Sequence, residues 1–363
     1  MATGGRAMSR DEGAGAALEA DVTVSRGGGF RLQARITAAT GQTVAVMGPS
    51  GAGKSTLLGA IAGLVELDGG RVRLDGRDLS GGGKPVPASR RGTVLLGQDP
   101  RLFPHLTARE NVAFGPRAAG TPAAAARRIA DDWLDRVGLA GAGEQRPADL
   151  SGGQQQRVAI ARALAASPRL VMLDEPLTSL DPVTADGIRT VLREHLVGRT
   201  CVVVTHDAVD AVALADRLIV VEGGRVVQTG PVREVLRSPA TGFVASLAGL
   251  NRVVGMSRSG DCVVDGVRFA GDSGAHVPDG QAVAAVFRPA DVRLAEPGPA
   301  PGGTSWTARI TRLEQTVAGV RVHTEAPGVA VDLATDALTE ADLRPQESIR
   351  LHIPAGRVRL LPA

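Results

Sequence analysis

The chain has 363 residues, of which 43% are hydrophobic and only 2% are aromatic, so its cores must be built mainly from Leu, Val, Ile and Ala. This length is too great for one ordinary core and predicts two domains. The formal net charge is only +3, which argues against nucleic acid as the main partner.

The start of the chain and its two cysteines carry no membrane or metal signal. Residues 1–20 contain no continuous apolar segment and are interpreted as a disordered leader rather than a signal peptide. Nowhere does an apolar run approach the roughly 18 residues needed to cross a bilayer. Cys201 and Cys262 lack His or Cys neighbours at metal-binding spacing, and we interpret them as incidental thiols in a reducing compartment.

An α/β domain is predicted over residues 21–237, a linker over 238–250 and a β-rich domain over 251–363. Within the first domain, short apolar runs that are typical of buried parallel strands alternate with helical stretches. These runs are Thr43–Met47, Leu170–Glu175 and Cys201–His206, followed by two strands joined by a turn at Gly223-Gly224.

The C-terminal region changes character at about Leu250. Short alternating runs separated by Gly, Pro and Asp predict a small all-β barrel or sandwich, with a helical stretch only near Leu338–Leu343. Val283–Leu294 (VAAVFRPADVRL) resembles Ile349–Leu360 (IRLHIPAGRVRL), and both end in Val-Arg-Leu after a Pro-containing turn. We therefore predict two copies of one small β unit.

The strongest chemical signal is the sequence Gly-Pro-Ser-Gly-Ala-Gly-Lys-Ser at residues 48–55, which we call the phosphate loop. Its glycines permit a tight loop whose N–H groups point at an anion, and the helix that follows adds its positive end. Lys54 is expected to reach the β- and γ-phosphates, and the Ser55 hydroxyl to bind Mg²⁺. The candidate nucleotide-binding residues of this segment are Gly48, Pro49, Ser50, Gly51, Ala52, Gly53, Lys54, Ser55 and Thr56.

Two adjacent carboxylates, Asp174 and Glu175, end a buried strand. Such a placement is costly unless the carboxylates have a task. Asp174 is suited to hold Mg²⁺, directly or through water, and Glu175 to act as general base for the attacking water.

Several further motifs resemble those of the ATP-binding-cassette (ABC) ATPases, in that family's order. Leu150–Gln154 (LSGGQ) is similar to the signature sequence, Gln98 to the Q-loop glutamine, Ser179–Asp181 to the D-loop and His206 to the switch histidine. The resemblance implies a P-loop NTPase fold with a helical subdomain, and ATP and Mg²⁺ as cofactors. It also implies a small all-β domain of the OB or TOBE type after the ATPase.

The resemblance further implies a head-to-tail homodimer with two ATP molecules at the interface. Ser151, Gly152, Gly153, Gln154, Gln98 and Asp181 would then contact nucleotide. Gln98 would join Ser55 and Asp174 as a metal ligand, and His206 would join Glu175 and Lys54 in catalysis.

The chain departs from the family pattern at the residue that contacts the adenine base of the nucleotide. Relatives usually stack an aromatic residue on adenine near the start of the domain, but this chain has no Tyr and reads VTVSRGGGF there. Either Arg26 or Phe30 could cover the base, by cation–π contact or by stacking.

The run Leu102–Thr107 and the following Glu110–Gly115 are similar to the importer branch of the family. This implies transmembrane permease subunits, an extracytoplasmic solute-binding protein, and a position on the cytoplasmic face of the cell membrane. The linker sequence Pro239–Gly255 and the C-terminal domain resemble molybdate importers most. Gly303–Arg309 lacks the Ser-Ala-Arg-Asn run of many oxyanion-binding members. Sulfate, iron(III), polyamine or sugar import and a soluble ABC ATPase without a membrane partner remain alternatives.

Overall fold

The computed structural model describes residues 16–273, 277–295, 302–316, 319–334 and 343–363. The chain divides into two compact units, one ending at Arg233 and one beginning at Glu234. Most of the predicted leader and almost all of the helical stretch predicted near Leu338–Leu343 lie outside the described residues.

The first unit is built on a ten-stranded sheet with the order β5-β4-β1-β2-β10-β9-β3-β8-β7-β6. Its strands are β1 (Ala16–Ser25), β2 (Arg31–Ala39), β3 (Thr43–Met47), β4 (Gly69–Leu74), β5 (Arg77–Ser80), β6 (Thr93–Leu96), β7 (Leu170–Asp174), β8 (Thr200–Val204), β9 (Arg217–Glu222) and β10 (Arg225–Pro231). Its helices are α1 (Lys54–Ala62), α2 (Ala108–Ala118), α3 (Ala123–Arg136), α4 (Gly152–Ala165), α5 (Pro182–Leu196) and α6 (Ala208–Leu214). A further helix, α7 (Val232–Arg237), crosses the division between the two units, and α8 (Gly242–Leu247) belongs to the second.

The centre of this sheet is parallel, as predicted. β9, β3, β8, β7 and β6 pair in that order with the same direction. Every residue of β3, β7 and β8 is buried, because both faces of the parallel sheet are covered. The carboxyl ends of these strands therefore meet at one edge of the sheet, where ligands of open α/β sheets bind.

The predicted domain boundaries need correction. β1 begins at Ala16 and pairs with β2, so residues 16–20 belong to the sheet rather than to a leader. Leu18 and Ala20 are buried in the core, which explains why this segment is held in place. The predicted linker over 238–250 contains the helix α8, whose Val244 and Ala245 are buried.

Helices α2, α3 and α4 form the predicted helical subdomain and pack against one another. Thr107 and Glu110 close the start of α2 with a reciprocal capping box. The Arg109 guanidinium of α2 forms ion pairs with Asp131 of α3 and with Glu144, and so ties α2 to α3 and to the segment that leads toward α4.

Beyond residue 250 the second unit is built from strands, as predicted, in two largely antiparallel sheets with one parallel pair at the edge of the first. Their orders are β13-β12-β11-β15-β21-β14 and β16-β20-β17-β18-β19. The strands are β11 (Asn251–Arg258), β12 (Asp261–Val264), β13 (Val267–Phe269), β14 (Asp272–Ser273), β15 (Ala282–Phe287), β16 (Arg293–Leu294), β17 (Thr304–Thr316), β18 (Gly319–Thr324), β19 (Ala330–Leu333), β20 (Ser348–Ile353) and β21 (Arg359–Pro362). Its core contains an aromatic cluster in which Phe269 contacts both Phe287 and Trp306.

Both copies of the predicted repeat form two strands joined by a turn, and the strands of one copy pair with those of the other. The first copy supplies β15 and β16, and the second supplies β20 and β21. β15 pairs with β21 while β16 pairs with β20, so each copy completes the other's sheet. The register is reciprocal: Val286 lies opposite Arg359, and the equivalent His352 lies opposite Arg293.

Candidate nucleotide-binding site

The phosphate loop connects the end of β3 to the start of α1. Gly51 and Gly53 have φ of 78° and 101°, a conformation that favours glycine. A Cβ at Gly48 would lie 2.0 Å from the Val221 carbonyl oxygen, so no side chain fits at this position. The loop therefore turns tightly into α1, and the N–H groups of the first helical turn can bind an anion.

Lys54 is the first residue of α1, and its side chain crosses the loop. Its Nζ donates hydrogen bonds to the carbonyl oxygens of Gly48 and Pro49, at 2.8 and 2.9 Å. These bonds place the ammonium group within the curve of the loop. A cation held there can neutralise the charge of a bound phosphate chain.

A cavity of about 550 Å³ opens between the phosphate loop and the edge of the parallel sheet. It brings together candidates that are far apart in sequence, because β6, β7 and β8 all end at this edge. Its lining residues are Arg26, Phe30, Gly48, Ser50, Gly51, Gly53, Lys54, Ser55, Thr56, Gln98, Glu175 and His206. Pro49, Ala52 and Asp174, which were also predicted here, are not among them.

Asp174 is the last residue of β7 and is only 6% exposed. Burial raises the pKa of its carboxyl, although a hydrogen bond with Ser55 acts in the opposite direction. Its Oδ1 is buried and has no hydrogen-bond partner among the described residues. A buried carboxylate oxygen without a partner, beside a hydroxyl, suits a hard divalent cation such as Mg²⁺.

Glu175 has a φ of 52°, in the left-handed region that is unusual for residues other than glycine. Its backbone N–H donates to the Val204 carbonyl of β8, which fixes the backbone of Glu175 at the edge of the sheet. The Glu175 Oε2 atom lies 3.5 Å from His206 Nδ1 and 3.4 Å from Thr178 Oγ1. Both partners are too distant to hold the carboxylate tightly, so it is available to a water molecule.

A buried network behind His206 was not predicted from the sequence. Thr205 donates from its hydroxyl to Asp210, which also accepts two hydrogen bonds from Arg189 of α5. The Thr205 hydroxyl accepts from the N–H of Asp207, so the network surrounds His206 on both sides in sequence. It fixes the backbone that presents the imidazole and links it to α5.

The signature residues are not brought to this cavity within one chain. Ser151 is the N-cap of α4, where its hydroxyl accepts from the Gln154 N–H while the Gln154 side chain accepts from the Ser151 N–H. Ser151 and Gly152 are exposed, and none of the residues 151–154 lines the cavity. Asp181 is likewise absent from the lining and caps α5 through the Thr184 N–H. Hydrogen bonds from the Thr184 side chain and backbone lower the pKa of Asp181. An exposed helix start of this kind can bind an anion that a second chain supplies.

Comparison with known proteins identifies relatives along the whole chain. The ABC transporter family matches residues 33–178. The molybdenum import ATP-binding protein ModC of Mycobacterium tuberculosis is 41% identical, covering 92% of this chain and 95% of that protein. The sulfate/thiosulfate import ATP-binding protein CysA 2 of Chromobacterium violaceum is 38% identical, covering 91% of this chain and 90% of that protein.

Two further comparisons each cover 60% of the chain. The Fe(3+) ions import ATP-binding protein FbpC of Streptomyces coelicolor is 49% identical but covers 60% of this chain and 62% of that protein. The ATP-binding cassette MJ0796, solved as a dimer in a post-hydrolysis state bound to ADP and Pi, matches with a TM-score of 0.54 and 32% identity. That match covers 60% of this chain and 99% of MJ0796.

These findings confirm the predicted fold and activity: the chain has the ABC ATPase fold and is an ATP-hydrolysing enzyme. None of the helices in its described residues is long and apolar enough to span a membrane. With 41% identity across nearly the full length of a relative, the chain belongs to the ATP-binding subunits of ABC transporters.

Proposed function

We propose that this chain energises an importer for molybdate or a closely related oxyanion. The observation that carries the proposal is how much of this chain each importer relative covers. The molybdenum and sulfate relatives cover 92% and 91% of this chain, so they include its C-terminal unit. The iron relatives from Streptomyces coelicolor and Streptomyces avermitilis cover only 60% and 76% of it, despite their higher identities of 49% and 44%. The C-terminal unit therefore favours the oxyanion importers over the iron importers.

In the proposed reaction, the phosphate loop holds the triphosphate of ATP and Lys54 neutralises its β- and γ-phosphates. Asp174, Ser55 and Gln98 would hold Mg²⁺, which supplies positive charge to the phosphate oxygens. Glu175 accepts a proton from the attacking water as the water oxygen bonds to the γ-phosphorus and the bond to ADP breaks. His206 donates to the γ-phosphate and aligns the water.

The exposed signature residues support a head-to-tail homodimer. In such a dimer, Ser151 and Gly153 of one chain contact the γ-phosphate that the other chain holds, and Asp181 lies near the same interface. The dimer is proposed to bind permease subunits at the cytoplasmic face of the membrane. An extracytoplasmic solute-binding protein would deliver the solute to that complex.

Sulfate import is the second candidate, since CysA 2 covers the chain almost as fully as ModC does. Uptake of labelled molybdate and labelled sulfate distinguishes the two. Cells that lack the gene should recover molybdate uptake with the wild-type chain and with Lys84→Ala, an exposed lysine outside the cavity, but not with Lys54→Ala. Recovery of sulfate uptake alone would establish the second candidate. If neither uptake depends on the gene, the chain does not energise an importer for molybdate or sulfate.

A further inference from the structure

We infer that Arg26 holds the purine base of the nucleotide by stacking its guanidinium group on the ring. The inference rests on the nucleotide site described above and adds the residue that contacts the base. Arg26 and Phe30 both line the cavity, together with the phosphate loop. The surroundings of the two side chains differ, and they favour Arg26 as the residue that contacts the base.

The turn that carries both residues is well fixed. It connects β1 to β2, and the Arg26 N–H donates to the Phe30 carbonyl at 2.9 Å. Just before it, the Ser25 N–H donates to the Asp68 carboxylate at 2.5 Å. Gly28 has a φ of 82°, which lets the chain reverse within the Gly27–Gly29 segment. Both side chains are therefore presented from a closed turn at the rim of the cavity.

The ring of Phe30 is already used in packing. Phe30 is half-buried and packs against the core of the first unit. A Cβ at Gly53 would lie 3.0 Å from Phe30 Cζ and 3.5 Å from Cε1, so an edge of the ring lies beside the phosphate loop. This close approach leaves little room for a side chain at Gly53, whose φ of 101° also favours glycine. Because Phe30 packs against the core and lies beside the loop, little of its ring surface is left for a base.

Arg26 has the opposite character. It is exposed, and its side chain makes no hydrogen bond or ion pair within the described part of the chain. A guanidinium group is planar, remains charged at neutral pH and stacks readily on aromatic faces. The phosphate chain has its own cation in Lys54, whose ammonium lies within the loop. The free guanidinium is thus available for the base, and it replaces the aromatic ring that the chain lacks.

This arrangement predicts a particular selectivity. Stacking uses the face of the base and does not read the hydrogen-bonding groups at its edge. ATP and GTP should therefore bind with similar affinity, within about tenfold, because strong discrimination requires polar groups built to pair with one base. CTP should bind more weakly than either purine nucleotide, since its ring offers less stacking surface.

The test measures dissociation constants of ATP, GTP, CTP and inorganic tripolyphosphate by calorimetric titration. Arg26→Ala should weaken ATP and GTP by about 5- to 30-fold, the range of a partly desolvated cation–π contact, and leave tripolyphosphate unchanged. Arg26→Tyr should retain the wild-type affinity for ATP. Arg26→Lys should lose part of it, because an ammonium group lacks the flat surface. Arg31→Ala, which removes a nearby exposed charge outside the cavity, should have no effect.

Three results would overturn the inference. Equal loss of ATP and tripolyphosphate in Arg26→Ala would make Arg26 a phosphate ligand. Unchanged ATP binding in Arg26→Ala, with weaker binding in a folded Phe30→Leu variant, would make Phe30 the stacking residue. A wild-type preference for ATP over GTP of a thousandfold or more would require edge recognition instead. Failure of the nucleotide site itself would appear differently, as loss of tripolyphosphate binding in the wild-type chain.

Discussion

Replacing Glu175 with Gln removes the carboxylate that we propose as general base and changes little else. Gln has the same size and keeps one acceptor oxygen. The side-chain contacts at stake, 3.5 Å to His206 and 3.4 Å to Thr178, are too long to contribute much stability. The backbone hydrogen bond from residue 175 to Val204 does not involve the side chain. We therefore expect the free energy of unfolding to change by less than about 0.5 kcal/mol.

The effect on turnover should be much larger. An amide cannot accept the proton of the attacking water, and loss of a general base typically lowers the rate by about 10²- to 10⁴-fold. This corresponds to about 2.7–5.4 kcal/mol of transition-state stabilisation at 1.36 kcal/mol for each factor of ten. Binding of ATP should be preserved, since Lys54 and the phosphate loop are unchanged.

The assay is phosphate release by the purified variant at saturating ATP, with ATP affinity measured on the same preparation. Glu194→Gln is the matched control, because Glu194 is exposed on α5 and does not line the cavity. It should hydrolyse ATP at the wild-type rate. Turnover of Glu175→Gln within about threefold of the control, with normal folding, would refute the general-base assignment.

Four further outcomes are expected. Lys54→Ala should weaken ATP binding by about 10- to 100-fold in direct titration, because one charge-assisted contact is lost. Ser151→Arg, in the Glu175→Gln background, should bind ATP as a monomer but show no ATP-dependent dimer by light scattering, since a bulky cation would occupy the partner's phosphate position. Asp174→Asn should stabilise the nucleotide-free protein by about 1–3 kcal/mol at pH 7, measured by denaturant unfolding, because the burial that raises the pKa of Asp174 penalises its charged form. That gain should shrink as the pH falls toward the raised pKa and the wild-type carboxyl becomes protonated. A truncation ending at Leu247 should retain ATPase activity, since every proposed hydrolytic residue precedes Arg237; a soluble but inactive truncation would contradict this.

The parallel sheet could be predicted because its central strands are buried on both faces. β3, β7 and β8 read as continuous apolar runs, and each is followed at once by a chemical motif. Once such strands are parallel, their carboxyl ends must share an edge. The meeting of the phosphate loop with Gln98, Glu175 and His206 thus follows from local patterns and one rule of topology.

Features that depend on distant pairings could not be predicted in the same way. β1 begins among small residues inside the predicted disordered leader, and only its pairing with β2 and β4 shows that they belong to the core. The repeat can be recognised in the sequence, but the pairing of strands between its two copies cannot. The network of Arg189, Asp210 and Thr205 joins residues whose individual types carry no signal.

The choice between Arg26 and Phe30 also required the structure. Both residue types can cover a base, and the sequence places them on the same short turn. Only the packing of the Phe30 ring against the core and beside the phosphate loop shows which side chain is already engaged.

The central claim is that each ATP is hydrolysed between two copies of the chain, and mixing two inactive variants tests it directly. Glu175→Gln lacks the base and Ser151→Ala lacks the signature hydroxyl. In a head-to-tail dimer of one copy each, both defects fall in one site and the other site is intact. Mixing equal amounts should therefore restore up to about one quarter of wild-type ATPase activity, because half of randomly assorted dimers are mixed and each has one intact site. If differently tagged variants co-purify as mixed dimers but show only the average of their separate activities, hydrolysis does not use a site shared between two chains.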